Sequence, residues 1–439
     1  MSRRTYAPVS PPVALTIAGS DSGGGAGIQA DLKTMEAHDV FGTTVVTATT
    51  AQNTVGVHDV TVLPTDHIAA QYEAVAEDFE PRGIKTGMLA TTAVIETVVD
   101  CLDSYEGPIV VDPVMVAATG DRLLDEAAEA AYETLIGQST LVTPNTDEAE
   151  ILTGTAVDSP EAAEAAGETL CEMGADAALL KGGHLDGDSV VDTLVVDDAD
   201  GVRTERFTHP RIDTEATHGS GCTLSSAITA RLATGESLTE AVAGGVGFME
   251  RAVRYGINAG TGPGAVHHMV ELRERADRTA TVDAVERLVA RLVKRNVETL
   301  VPAEGMDVVG ATRYAETPAE IVGVDGKLSR TRMGIRPTAG VRSGTASDLA
   351  GQLLALREPF PALRFAVSCR FDPAVKHALE TLDGPVVSGA IEGLSGEQPP
   401  AAVIDTSGER PPTSVILCGP DAEIVRKRTL AVSEALLTE

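Results

Sequence analysis

Thr217-His218-Gly219-Ser220-Gly221-Cys222-Thr223 sets two glycines around a serine, directly ahead of the apolar-periodic run Leu224-Ser225-Ser226-Ala227-Ile228-Thr229-Ala230-Arg231-Leu232. That order predicts a tight glycine turn opening a helix. The first amides of a helix lack internal acceptors, and the helix dipole adds partial positive charge there. Glycines let the backbone come close to a ligand. Together they make a place for an anion, most naturally a phosphoryl group in transfer. The plainer reading is an ordinary N-capped helix with a buried cysteine.

Upstream, buried strands alternate with helical stretches, the rhythm of a mostly parallel sheet covered by helices on both sides. Val13-Ala14-Leu15-Thr16-Ile17-Ala18 is the first strand, and a glycine-rich turn leads from it to a helix near Ile28. Within that turn Gly25-x-Gly27-x-x-Ala30 imitates a dinucleotide fingerprint, but the strand Thr44–Thr49 ends in Thr50-Ala51-Gln52-Asn53, without the required acid. No GxxxxGK[ST] pattern occurs, which argues against a P-loop.

Three strand ends carry polar groups. Pro108 to Met115 reads as a strand with Asp112 near its end, facing a ligand crevice or forming an Asp-Pro turn. Leu141-Val142-Thr143-Pro144 leads to Asn145 and Glu148, which either orient a magnesium ion through water or cap a helix. Lys181, one of few lysines, closes Ala177-Ala178-Leu179-Leu180 and suits a phosphate as a point charge. His267 and His268 read as structural.

The chain has 439 residues and a net charge of −31, with acid spread along its whole length. Such a surface disfavours nucleic acid and anionic membranes, and suits a halophilic cytoplasm, where salt screens self-repulsion. An acidic mesophile protein is the alternative. Cys101, Cys171, Cys222, Cys369 and Cys418 form no CxxC motif, which fits a reducing cytoplasm without structural disulfides or zinc. No apolar run reaches the roughly 18 residues of a transmembrane helix. The start at Ser2-Arg3-Arg4 reads as a ragged terminus rather than a signal peptide. Residues 1–270 form one expected domain, 271–281 a charged linker, and 282–439 a second, smaller α/β domain, with loops at Pro399-Pro400 and Pro411-Pro412.

Taken in order, several stretches closely resemble the hydroxymethylpyrimidine/phosphomethylpyrimidine kinases of thiamine biosynthesis. They are Ala14 to Asp21, Gly24 to Thr34, Ala51-Gln52-Asn53-Thr54, Lys85-Thr86-Gly87-Met88-Leu89, Val111 to Met115, Thr143-Pro144-Asn145, Lys181-Gly182-Gly183-His184, Thr217 to Thr223, and Gly262 to His268. The resemblance implies a ribokinase-like fold. It implies ATP-dependent phosphorylation of an aminopyrimidine alcohol and then of its monophosphate, with ATP and Mg2+, in a cytoplasmic homodimer. On that resemblance, Gly219, Ser220, Gly221 and Cys222 form the anion hole, with Cys222 standing where many ribokinase relatives carry an aspartate base. A helix start is expected to lower the pKa of that cysteine. Asp31, Gln52 and Met88 line the pyrimidine pocket; Asp112, Asn145, Lys181 and Thr217 face ATP; Glu148 holds the metal through water. A pyridoxal-type kinase is the alternative within the same fold.

The second region resembles the archaeal thiamine-phosphate synthase domain found fused behind this kinase. Arg336 and Arg370 are its expected phosphate ligands. Where active synthases of that family carry a Ser-Ser-His-type stretch, this chain has Ala346-Ser347-Asp348. A domain that binds a thiamine-pathway phosphate without condensing it is therefore expected; a bifunctional kinase and synthase is the alternative.

Overall fold

The computed structural model describes residues 7–115, 128–185, 187–199, 201–345, 347–408 and 412–438. Ser2-Arg3-Arg4, Ala346 and Pro411 lie outside the described residues. The chain divides into two compact units, Met1–Glu271 and Leu272–Glu439.

The first unit runs β1 (Val13–Ser20), α1 (Gly27–Ala37), β2 (Phe41–Gln52), β3 (Val57–Val62), α2 (Thr65–Phe79), β4 (Ile84–Thr86), α3 (Thr92–Leu102), β5 (Ile109–Val111), α4 (Glu129–Ile136), β6 (Leu141–Val142), α5 (Thr146–Thr153), α6 (Pro160–Glu172), β7 (Ala177–Leu180), β8 (Ser189–Asp198), β9 (Gly201–Pro210), α7 (Ser220–Ala233) and α8 (Leu238–Arg254). The strands order as β3-β2-β1-β4-β5-β6-β7-β8-β9. From β2 to β7 neighbouring strands are parallel; β3, β8 and β9 join antiparallel. This is the expected mostly parallel sheet with flanking helices.

The central strands are covered on both faces. Leu15, Ile17, Ile84 and Val111 pack into one core cluster, and Val110, Leu141 and Leu179 into another with Leu224 and Ile228 of α7. Fully burying such a side chain contributes roughly 2 kcal/mol. The strand expected over Pro108 to Met115 is shorter, since Asp112-Pro113 leaves the ladder after Val111. Carboxyl ends of β1, β4, β5 and β7 therefore all deliver their next residues to one edge of the sheet.

The second unit comprises α9 (Val270–Arg295), β10 (Val308–Ala311), β11 (Ile321–Val324), β12 (Leu328–Thr331), β13 (Gly334–Pro337), β14 (Val341–Ser343), α10 (Asp348–Arg357), β15 (Phe365–Arg370), α11 (Pro373–Ala378), β16 (Val386–Gly389), β17 (Ala402–Asp405), β18 (Ser414–Gly419) and α12 (Ala422–Thr438). Its seven-stranded sheet runs β14-β11-β10-β15-β18-β17-β16, antiparallel except at β16 and β17, and β12-β13 form a separate hairpin. The stretch 271–281, expected as a linker, is part of α9. Its charges have partners there: Glu274 is buried and accepts from Thr312, and Asp277 pairs with Arg364 at 2.8 Å. Charges expected in a linker thus pair with residues that flank β10 and β15.

Candidate active site

Two glycine loops meet at the edge of the first unit's sheet. Gly219 has φ +81°, and a Cβ there would stand 1.8 Å from the Gly25 carbonyl oxygen. Gly27 has φ +56°, and its Cβ would come within 2.5 Å of the Gly19 carbonyl. Only glycine tolerates both the left-handed backbone and the contact. The loop after β1 thus packs backbone to backbone against the loop before α7.

Asp21 joins the two loops. It accepts hydrogen bonds from the amides of Gly23 (2.7 Å), Gly25 (2.9 Å) and Ala26 (2.8 Å), and lies 3.1 Å from His218 Nε2. Burial would raise the pKa of its carboxyl, but the bonds from His218, Ala26 and Gly23 outweigh burial and hold it down at about 2. His268 Nε2 sits 3.0 Å from the Gly25 carbonyl, and burial pushes that imidazole down to about 4. His268 therefore supports the loop as a neutral ring, as a structural histidine should. The sequence reading missed Asp21 and His218, which stand 197 positions apart.

At the opening of α7, Gly219 is the N-cap and supplies no side chain. The Ser220 amide bonds back to the Thr217 carbonyl at 3.1 Å. Among the described residues the amides of Gly221 and Cys222 have no protein acceptor, so the expected anion hole narrows to those two donors. Lys181 and Asp112 face them. Lys181 Nζ donates to Asp112 Oδ1 at 3.1 Å and lies 3.7 Å from Glu148 Oε2. A Cβ on Gly221 would be 3.2 Å from Lys181 Nζ. Burial works against the lysine's charge, yet the carboxylates of Asp112 and Glu148 more than offset it and raise its pKa. In return, burial raises the Glu148 carboxyl, with Lys181 pulling it down and Asp112 pushing it up.

Asn145 and Glu148 form a capping box on α5. Asn145 Oδ1 accepts from the Glu148 amide at 2.8 Å, and Glu148 Oε2 accepts from the Asn145 amide at 2.8 Å. The capping reading of this pair has its geometry here, while Glu148 Oε2 also faces Lys181 at the same end of the cavity. Among the described residues, no cluster of three acidic, histidine or cysteine side chains could hold a metal ion.

Gln52 and Met88 line the same cavity of about 750 Å3 as Asp112, Asn145, Lys181 and Thr217. Gln52 is held at the end of β2 by mutual bonds between its backbone and the Ser22 hydroxyl, both 2.7 Å. Asp31 does not line it. Its side chain is fully buried and its oxygens accept from Thr16 (2.6 Å), Ser226 (2.6 Å) and Lys85 (3.1 Å). A carboxylate so saturated cannot also receive a substrate, which corrects the expectation for this residue.

Cys222 is corrected in its chemistry. Burial pushes its thiol up from the ordinary 9.0 to about 11; Lys85 and the Gly27 amide pull down, but Asp31 and Asp112 add to the rise. The helix start does not outweigh this burial and the two nearby carboxylates, so the expected lowering of the thiol pKa is corrected to a rise. Arg370, an expected ligand of the second unit, already donates to the Thr299 carbonyl and pairs with Asp372. Arg336 is exposed on β13.

The chain end of the cavity holds further groups that sequence reading did not single out. Asp192 accepts the Gly182 amide at 2.9 Å, and Arg211 donates to the carbonyls of Gly183 (2.9 Å), Leu185 and Gly187 (2.7 Å). They hold the loop that follows Lys181. Only the Arg211 position just after a strand hinted at this.

Residues 21–267 match the family model "Phosphomethylpyrimidine kinase", and residues 284–427 match "Thiamine-phosphate synthase ThiN". A hydroxymethylpyrimidine/phosphomethylpyrimidine kinase from Bacillus subtilis is 46% identical over 257 residues, covering 58% of this chain and 94% of that protein. The thiamine biosynthesis bifunctional protein ThiED of Geobacter sulfurreducens is 44% identical over 266 residues, 60% of this chain and 54% of that one. The solved pyridoxal kinase from Staphylococcus aureus in complex with AMP-PCP and pyridoxal superposes with a TM-score of 0.55 at 34% identity, covering 60% of this chain and 94% of its own. The protein is thus a kinase, and its chain belongs to the phosphomethylpyrimidine kinase family.

Proposed function

We propose that the first unit phosphorylates 4-amino-5-hydroxymethyl-2-methylpyrimidine with ATP, and then its monophosphate, within thiamine biosynthesis. The observation that carries this reading is the joint placement of Lys181 against Gly221 at one part of the cavity and of Gln52 with Met88 at another. Phosphoryl transfer is mostly positioning and charge neutralisation. The Gly221 and Cys222 amides and the Lys181 ammonium meet the transferring group; Asp112 fixes the lysine; Thr217 and Asn145 border the nucleotide. A glutamine amide offers the donor and acceptor an aminopyrimidine edge needs. In the first transfer the alcohol oxygen bonds to the γ-phosphorus as the bond from that phosphorus to the β-phosphate oxygen breaks; ADP leaves and the alcohol proton passes to solvent. In the second, an oxygen of the monophosphate takes the alcohol's place.

Magnesium fits this arrangement as an ion carried on the nucleotide. Asp112 and Glu148 stand side by side at the phosphate end, and magnesium is commonly held by one or two carboxylates plus phosphate oxygens and water. When bound it would neutralise phosphate charge. A cytoplasmic homodimer in a salt-rich cell fits the free cysteines and the net charge of −31. The second unit, on this reading, binds a phosphorylated thiamine precursor without joining two of them.

A pyridoxal-type kinase is the second reading, favoured by the superposition on pyridoxal kinases. Offering the pyrimidine alcohol and pyridoxal side by side with ATP and magnesium separates them. A higher kcat/KM for the pyrimidine is expected, and a preference for pyridoxal would overturn the first reading. Gln52→Leu should raise the KM of the pyrimidine well above any change for ATP.

A further inference from the structure

Asp31 and Lys85 fall in two of the stretches that resemble the kinase family, yet neither lines the cavity. Both are fully buried, together with Thr16 and Ser226. Lys85 Nζ donates to both oxygens of Asp31, at 3.2 and 3.1 Å. Thr16 of β1 and Ser226 of α7 donate to one oxygen each, at 2.6 Å. Gly87 clears the space: a Cβ there would lie 2.7 Å from Lys85 Nζ. One carboxylate thus ties β1, β4 and α7 to α1.

Each tied element leads to a different wall of the cavity. β1 runs on to Gly19, Ser20 and Asp21, β4 runs on to Met88, and α7 opens with Gly221 and Cys222. On α7, Cys222 and Ser226 are four apart and share a face; on α1, so do Gly27 and Asp31. Gly27 meets Cys222 and Asp31 meets Ser226, two rungs between the same two helices. A buried ion pair is a weak source of stability, since an apolar pair of similar volume does as well; its best-attested use is fixing register.

We propose that Asp31 and Lys85 are positioning residues that hold the anion-binding turn of α7 in register with the Met88 wall, so that phosphoryl donor and acceptor meet in line. Each half of the site stays intact without them, but the alignment of the halves is lost. The inference rests on the kinase reading above, and wild-type turnover in the same assay tests that reading separately.

The experiment compares the full-length double variant Asp31→Asn/Lys85→Met, which removes both charges at near-constant volume, and the single variant Ser226→Ala, which keeps the ion pair. Circular dichroism and thermal midpoints establish folding; kcat, both KM values and the ratio of ADP released to alcohol phosphorylated are then measured. In the folded double variant kcat should fall about 10-fold or more with both KM values within about 3-fold, because misplacement near 1 Å costs up to about 100-fold in rate. ADP release should exceed alcohol phosphorylation as water replaces the misaligned acceptor. Should the double variant not fold, Ser226→Ala decides, with a smaller kcat loss of the same pattern. An unchanged kcat in the folded variants, or a kcat loss matched by rises in both KM values, overturns the proposal.

Discussion

Lys181, at the end of β7, and Asp112, just past β5, meet at 3.1 Å across the end of β6 that lies between their strands. The pair stands against Gly221, so on the proposed reading a phosphoryl group at the amides of α7 finds a cation whose orientation is already set. Preorganised charge of this kind is usually the largest electrostatic contribution to transfer.

Lys181→Met should therefore lower kcat by about 100-fold or more and raise the KM for ATP, while leaving pyrimidine binding close to wild type. The variant also leaves Asp112 and Glu148 without the ammonium, so the Glu148 carboxyl, already raised by burial, rises further. Steady-state kinetics with each substrate varied in turn check this. A variant with full activity would place the phosphoryl group elsewhere.

Cys222 should behave as an unreactive thiol. At about 11 against the ordinary 9.0, its thiolate fraction at pH 7.5 is about a hundredfold smaller than that of a free cysteine. Iodoacetamide should label it far more slowly than a model thiol, and the rate should climb with pH through 9 and beyond. The pH profile of kcat should show no limb between pH 7 and 9 that Cys222→Ala removes. Rapid labelling at pH 7.5 would show the thiol to be activated.

Asp21 gives a pH dependence of stability. Its folded pKa, about 2, lies below the ordinary 3.8, so its contribution is present above about pH 4 and is lost as the pH falls towards 2. The shift corresponds to roughly 2 kcal/mol for this buried group. Asp21→Asn should be less stable than wild type at pH 7 by about that amount, and the gap should narrow steadily below pH 4. Urea unfolding at a series of pH values measures it; a gap independent of pH would mean that the charge on Asp21 is not what the loop amides recognise.

Sequence showed where some of these residues stand and hid others for physical reasons. Asp112, Lys181 and the glycine turn were legible because a polar group straight after a short buried strand has to emerge at one sheet edge. Asp31 was misjudged because a carboxylate on the first turns of α1 reads the same whether it faces the cavity or the helix beneath it. Its partners Lys85 and Ser226 lie 54 and 195 positions away. Asp21 and His218 were hidden by the same distance. Residues 271–281 looked like a linker because their partners Thr312 and Arg364, which flank β10 and β15, lie 38 and 87 positions away. The pKa of the Cys222 thiol was misjudged because a helix start is visible in sequence, whereas its burial and the nearness of Asp31 and Asp112 are not.

In the second unit, the expectation of a lost synthase activity rests on the start of α10. Ser347 is the N-cap of α10, and its hydroxyl accepts from the Ala350 amide at 3.2 Å. Asp348 follows, exposed in the first turn, where the helix dipole favours its charge. The serine is thus engaged with its own helix. A carboxylate at neutral pH offers no proton and no hydrogen bond to a departing pyrophosphate, and would repel it. His377, the one histidine of the second unit, pairs with Glu380 at 3.2 Å on α11 and does not stand on α10. Arg370 is tied to Thr299 and Asp372, which leaves Arg336 on the β12-β13 hairpin as the exposed member of the expected pair. The full-length protein given pyrimidine pyrophosphate and thiazole phosphate should therefore form little or no thiamine phosphate, while titration calorimetry with thiamine phosphate should still register binding that Arg336→Ala weakens about 10-fold or more. Asp348→His should not by itself restore synthesis, since the serine remains occupied as a cap. Efficient synthesis by the wild-type chain would instead make it a bifunctional kinase and synthase, with the pyrophosphate leaving past a carboxylate that the reaction evidently tolerates.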